Sequence, residues 1–220
     1  MKCLVIAPHP DDELLGVGGT ILRRKSEGAD IAWMIVTEIS EAEGWSAEQV
    51  VRRSAEVEKA AKFFGFSQVF HLAFPAAKLD QVAIGRLVQR MSDVFKSYEP
   101  EEVFVPHRSD VHTDHRIVFD AAASCSKWFR YPSVRRFLAY ETLSETDFGL
   151  IPAAAFRPNY FIDISNFLQQ KINATKIYES EFGDFPFPRS CTSIESLARV
   201  RGAASGFHAA EAFELLRARE

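Results

Sequence analysis

A chain of 220 residues, 47% hydrophobic and 25% charged, is long enough to bury a sizeable core, and that balance excludes a disordered polymer. Its 26 basic and 30 acidic residues leave a net charge of −4, which speaks against a general nucleic-acid binder. The three cysteines, Cys3, Cys125 and Cys191, are widely spaced with no CxxC pair, so the expectation is a cytoplasmic protein without a disulfide framework.

Lys2–Ala7 is a short apolar run cut off by Pro8 and Pro10, which fits a buried parallel strand better than a signal peptide. No apolar run approaches the ~20 residues of a membrane span. Helical spacing of Leu14, Leu15, Val17, Ile21 and Leu22 predicts a helix over Glu13–Glu27, stopped by Gly28. Within it, Gly16-Val17-Gly18-Gly19 does not match GxGxxG and reads as small residues for close helix–sheet packing. A second strand covers Ile31–Thr37, followed by an acidic loop over Glu38–Gly44 and an amphipathic helix over Ala47–Phe64. Gln68–Leu72 is strand-like, Phe74–Lys78 a loop, Asp80–Tyr98 a helix, and Glu102–Val105 a strand ended by Pro106. Val111–Trp128 begins polar and becomes helical. This alternation predicts a doubly wound, mainly parallel α/β sheet covered by helices. Beyond Tyr131 the rhythm changes. Arg136–Glu141 and Asn159–Ile164 read as strands and Leu168–Phe182 as a helix, and Pro186-Phe187-Pro188 leads into a helical stretch from Ser193. Residues 1–220 therefore read as one domain, with a C-terminal elaboration from about residue 132.

Ligands of open α/β sheets bind beyond the carboxyl ends of the strands. Two loops at such ends are dense in His and Asp: Pro8-His9-Pro10-Asp11-Asp12-Glu13, and His107-Arg108-Ser109-Asp110-Val111-His112-Thr113-Asp114-His115. His9 and Asp12 lie three apart at a strand-to-helix turn, so both can converge on one point. His112 and His115 lie three apart at a helix start and share a face. One residue from the second loop would complete a His-Asp-His set, and mixed nitrogen and oxygen donors suit zinc or iron better than magnesium or calcium. Asp11 is then left over as a carboxylate base for a water acidified by the metal. Asp114 could orient His112 or stabilise its protonated form, and His112 could stabilise an oxyanion and protonate a leaving group. A purely structural reading makes Asp11 or Asp12 the N-cap of the first helix, and Thr113 or Asp110 that of the later one. His71, His107 and His208 lack partners at ligand spacing, although His107 is near enough to line the wall of a site.

Ala7-Pro8-His9-Pro10-Asp11-Asp12-Glu13 resembles the (A)HPDDE motif of the LmbE-like, or PIG-L, deacetylases, and His112-Thr113-Asp114-His115 matches their HxDH motif. Weaker likeness runs through Arg53-Ser54-Ala55-Glu56, Lys171-Ile172-Asn173-Ala174 and Ala210-Glu211-Ala212-Phe213. The resemblance implies a Rossmann-like three-layer α/β/α fold without a dinucleotide. It implies zinc, or iron, on His9, Asp12 and His115, with Asp11 as general base. His112 would then stabilise the oxyanion with Asp114 behind it, and Arg53 would contact the sugar. The implied reaction removes the N-acetyl group of an N-acetylglucosamine-type amino sugar conjugate, giving free amine and acetate. The same metal site could serve an amidase of thiol–sugar conjugates. A catalytically silent metal- or sugar-binding module is a further reading, against which the spare Asp11 argues. The implied partner is a small-molecule sugar conjugate, and a homo-oligomer is compatible with the sequence. Two departures, Ala76-Ala77 for Asp-Gly and Tyr178-Glu179-Ser180-Glu181 for His-x-Ser-Gln, fall where substrate contacts are expected.

Overall fold

In the computed structural model, which describes residues 1–220, Lys2–Ala7 forms strand β1 at the centre of the molecule. Its successive side chains point to opposite faces, as a strand's must. Cys3, Val5 and Ala7 enter one core, and Leu4 and Ile6 enter the other. Because both faces are covered, the run is apolar throughout rather than alternating.

The remaining elements follow as α1 (Asp12–Ser26), β2 (Asp30–Glu38), α2 (Ala47–Phe64), β3 (Gln68–Pro75), α3 (Ile84–Tyr98), β4 (Glu102–Pro106) and α4 (Thr113–Ala123). Then come β5 (Arg136–Tyr140), β6 (Tyr160–Asp163), α5 (Leu168–Ala174), α6 (Cys191–Ser205) and β7 (Ala210–Ala218). One seven-stranded sheet has the order β3-β2-β1-β4-β5-β7-β6. The strands from β3 across to β5 are parallel, and β7 runs antiparallel between β5 and β6. Helices α1, α2, α5 and α6 contribute to the core on one face, and α3 and α4 to that on the other. The α/β class and the mainly parallel sheet agree with the sequence reading. The strand order reverses between β1 and β4, so the loops after these two strands lie side by side at the topological switch point.

Four elements differ from the reading above. The helix read over Asp80–Tyr98 is broken, with a 3₁₀ turn at Leu79–Gln81, an extended Val82, and α3 only from Ile84. The helix read over Leu168–Phe182 stops at Ala174 and continues as 3₁₀ turns at Thr175–Ile177 and Glu179–Glu181. This tightening turns Tyr178 inward, where it is fully buried and its hydroxyl donates to Glu13 Oε1 at 2.7 Å. The helical stretch from Ser193 starts slightly earlier, capped by Ser190, and ends at Gly206 with φ 81°. The strand that follows it, β7, was missed. Ala210–Ala218 is rich in good helix formers, but neighbours on both edges take its backbone hydrogen bonds and override that preference.

Glu211 on β7 shows how the C-terminal part locks onto the first helix. Its carboxylate accepts the backbone N–H of Gly19 at 2.8 Å and of Thr20 at 2.7 Å, and it pairs with Lys171 Nζ at 2.6 Å. Lys171 in turn donates to the Leu15 carbonyl at 2.7 Å. The glycines of α1 are what permit this close approach. A Cβ at Gly16 would stand 2.2 Å from the Tyr140 ring, and one at Gly19 would stand 2.8 Å from Ile164. Tyr140 cannot retreat, since it is fully buried and its hydroxyl donates to the Ile6 carbonyl at 2.9 Å. Gly16→Ala is therefore expected to destabilise the fold by about 1–3 kcal/mol despite the better helix propensity of Ala. The check is a lowered urea midpoint at unchanged m value. A midpoint equal to that of the wild type would show that the Tyr140 contact yields freely.

Candidate active site

The chain leaves β1 at Ala7 and must turn within four residues into α1. The Pro8 carbonyl accepts both the backbone N–H of Thr37 at 3.0 Å and its hydroxyl at 2.8 Å, which ties the turn to β2. Asp11 then adopts φ 126°, a conformation that costs a side-chain-bearing residue roughly 1–3 kcal/mol. The backbone N–H of Asp11 donates to Glu13 Oε2 at 2.9 Å, and Tyr178 holds the other Glu13 oxygen. Burial pushes the Glu13 carboxyl up to about 8. Glu13 thus holds the strained turn from beneath and never reaches the cavity.

This turn gives two adjacent aspartates different surroundings. Asp12 points inward. Its Oδ2 accepts the His9 backbone N–H at 2.9 Å and lies 3.5 Å from His9 Nδ1 and 3.4 Å from His115 Nε2. Asp11 points into the cavity, where Arg189 Nη1 donates to its Oδ2 at 2.8 Å. Burial, then repulsion from Asp12, pushes the Asp11 carboxyl up to about 7, against the opposing pull of Arg189.

The loop after β4 supplies the other half. His115 Nδ1 is hydrogen-bonded to Asp110 Oδ2 at 2.8 Å, and Thr146 Oγ1 donates to Asp110 Oδ1 at 2.6 Å. That leaves Nε2 of His115 turned toward Asp12. His9 is held in the reverse sense: its Nε2 meets Asp114 Oδ2 at 3.1 Å, which leaves Nδ1 for Asp12. The ligand atoms of His9, Asp12 and His115 all lie within 4.8 Å of one another. Donors ~2.1 Å from a tetrahedral ion stand about 3.4 Å apart, so the two separations from Asp12 Oδ2 are compatible with zinc. Burial opposes charge on both imidazoles, but the carboxylates prevail: His9 rises to about 9 and His115 well above its ordinary value. The charge that draws those protons would equally draw a divalent cation. His9, His112 and Asp114 form a second group of the same kind, sharing His9.

His112 sits at the N-cap of α4, and its Nδ1 accepts the backbone N–H of Asp114 at 3.1 Å. The ring proton is thereby assigned to Nε2. Burial, with His9 and His115 nearby, lowers its pKa to about 4. His112 is accordingly a neutral N–H donor at ordinary pH. The Asp114 carboxylate makes no hydrogen bond to the His112 ring. It orients His9 and accepts the backbone N–H groups of Ala77 at 2.8 Å and Leu79 at 3.2 Å. Of the purely structural alternatives, Asp11 does occupy the N-cap position of α1, but its side chain makes no capping hydrogen bond, and His112 itself caps α4.

A cavity of about 520 Å³ opens above these groups. His9, Asp11, His112, Arg53, Trp45 and Glu145 line it, and Ala76 and Ala77 form part of its wall. Arg53 Nη1 donates to the Pro10 carbonyl at 3.0 Å, and its other arm pairs with Glu181. Of the two motif departures, Ala76-Ala77 and Glu181 face the cavity, whereas Tyr178 is buried behind it against Glu13. His107 does not line the wall; it packs behind the site near Asp110 and Glu214, and His71 faces the cavity instead. Sequence reasoning missed Arg189 and Glu145. Each is a lone charged residue in an irregular segment, with no spacing to connect it to the two loops that carry the motifs.

Residues 4–126 match the family described as PIG-L: GlcNAc-PI de-N-acetylase. The diacetylchitobiose deacetylase of Thermococcus kodakarensis is 27% identical over 221 residues, spanning 96% of this chain and 81% of its own length. Among solved structures, the conserved protein TT1542 from Thermus thermophilus superimposes with a TM-score of 0.77 at 27% identity, covering 99% of this chain and 96% of that one. The N,N'-diacetylchitobiose deacetylase from Pyrococcus horikoshii superimposes with a TM-score of 0.78 at 21% identity, covering 98% and 84% respectively.

Proposed function

The chain belongs to the PIG-L family, and from that premise we propose that it is a metal-dependent N-deacetylase of N-acetylglucosamine-type amino sugar conjugates. The observation that carries this reading is a carboxylate, Asp11, lining a cavity beside a convergent His-Asp-His donor set of which it is not a member. His9, Asp12 and His115 would hold zinc, or iron in its place. When bound, such an ion acts as a Lewis acid that polarises the acetyl carbonyl and acidifies water.

Asp11 takes the proton of the attacking water: it lines the cavity next to the Asp12 donor yet stands outside the donor set. His112 Nε2–H donates to the carbonyl oxygen as negative charge develops there. Because His112 is neutral, the proton delivered to the departing sugar nitrogen is the one that Asp11 has just accepted. The C–N bond breaks, and acetate and free amine leave. Arg53 presents its planar fork at the cavity wall, where sugar hydroxyls or an attached phosphate can meet it. Trp45 lines the cavity as an aromatic surface, and the cavity is large enough for a sugar carrying a further group.

The test is a screen of zinc-loaded protein over N-acetylglucosamine conjugates, with amine and acetate both quantified. Equimolar release from at least one conjugate is expected. Arg53→Ala is expected to raise KM on that conjugate without loss of metal. Acetate from none of them, at full metal occupancy, would end this reading. An unchanged KM would return Arg53 to a purely structural brace for Pro10.

A further inference from the structure

Arg189 lies in the loop that enters α6, and nothing in the two metal-site motifs points to it. Its guanidinium is mostly buried, with 18% of the side chain exposed. It joins three segments at once. Nη1 donates to Asp11 Oδ2 at 2.8 Å, Nε donates to Ser144 Oγ at 2.7 Å, and Nη2 donates to Glu145 Oε1 at 3.2 Å. The Glu181 carboxylate is 3.5 Å from Nη1. We propose that Arg189 is a positioning residue for Asp11, clamping one carboxylate oxygen so that the other faces the attacking water. The inference rests on the deacetylase reading above.

Two features of the site support it. Arg189 is the only side chain that hydrogen-bonds the Asp11 carboxylate, and it takes Oδ2 while Oδ1 accepts no hydrogen bond. A carboxylate that turns about two side-chain bonds, projecting from a strained turn, has no other hydrogen bond to fix its orientation. The arginine is itself fixed by the segment that steadies the donor set. Ser144 and Glu145 hold Arg189, while the next residue, Thr146, holds Asp110, which orients His115. The Thr142 backbone N–H donates to Thr146 Oγ1 at 2.8 Å and closes this short loop on itself. One rigid bracket thus sets both the base and a ligand-orienting carboxylate, and so sets the distance between them. A misplacement of about 1 Å in such an arrangement can cost on the order of 10²-fold in rate.

The experiment compares wild type, Arg189→Ala and Arg189→Lys as metal-loaded enzymes, each also in an Asp11→Asn background. Arg189→Ala is expected to lower kcat on the order of 10²-fold with KM and metal content unchanged. Guanidinium chloride below denaturing concentrations should restore part of the rate. Arg189→Lys keeps the charge but not the fork, and it should fall between the two. In the Asp11→Asn background, Arg189→Ala should cost nothing further and guanidinium should rescue nothing, because the two residues act as one unit. A raised KM at constant kcat would make Arg189 a substrate contact, and an additional loss on top of Asp11→Asn would make it act without Asp11; either result overturns the proposal. Crystal structures of Arg189→Ala give a readout independent of activity, with the Asp11 carboxylate expected to rotate away. If it stays in place the proposal fails, even if the wild type proves to hydrolyse no N-acetyl sugar at all.

Discussion

Replacing Asp11 with asparagine is expected to lower kcat by about 10²–10⁴-fold, the usual cost of losing a general base, while metal content and folding stay unchanged. Asn keeps the shape and still accepts a hydrogen bond from Arg189, but it cannot take a proton. Because Asp11 lies outside the donor set, its loss leaves His9, Asp12 and His115 intact. The pH dependence follows from the same surroundings. Burial first, and Asp12 second, raise the Asp11 carboxyl to about 7. The ionised form is the active one, so kcat/KM rises with pH as Asp11 loses its proton and falls away below that point. A cation held by Asp12 offsets the second contribution, which places the acid limb at or below pH 7. Asp11→Asn should flatten this limb as well as lower the rate. Metal loss on Asp11→Asn would show that the two aspartates have exchanged roles, and full activity would show that no carboxylate base operates.

Most of this site was legible in the sequence because two short loops carry its chemistry, and each begins where a strand ends. Pro8, Pro10 and Pro106 mark the ends of β1 and β4, so the two His- and Asp-rich loops could be placed on one rim from the order of residues alone, whereas the choice of His115 as third donor came from the likeness to the HxDH motif. What could not be read is the way charged residues distant in sequence pair with these loops. Spacing put Asp114 two residues from His112, but its carboxylate hydrogen-bonds His9 rather than that ring. Arg189 belongs to the site only because α5 frays into 3₁₀ turns and the loop after them folds back over Asp11. The strand β7 was hidden for a related reason. Its composition favours helix, and only pairing with β5 and β6 and the docking of Glu211 on α1 make it extended. The glycines of α1 were legible as packing residues, whereas their partners Tyr140 and Ile164 were not, since those contacts span more than a hundred residues.

Loss of a ligand should have the largest effect of all. His115→Ala is expected to empty the centre and abolish activity, because two remaining donors, His9 and Asp12, no longer enclose a three-ligand site. The substitution also strips Asp110 of its buried partner, so folding must be followed separately by urea unfolding of the metal-free protein. A milder variant isolates the metal effect. Asp110→Asn retains an oxygen for His115 Nδ1 but removes the charge that makes Nε2 a strong donor. Such outer partners typically contribute 10–100-fold to metal affinity. Asp110→Asn should therefore bind zinc about 10–100-fold more weakly in competition with a chelator, and recover activity when zinc is raised. The same titration decides between the two groups of donors that share His9. If His115→Ala binds zinc as tightly as the wild type while His112→Ala does not, the ion belongs to His9, His112 and Asp114. The neutral donor assigned to His112 would then be lost, and the oxyanion would need another partner.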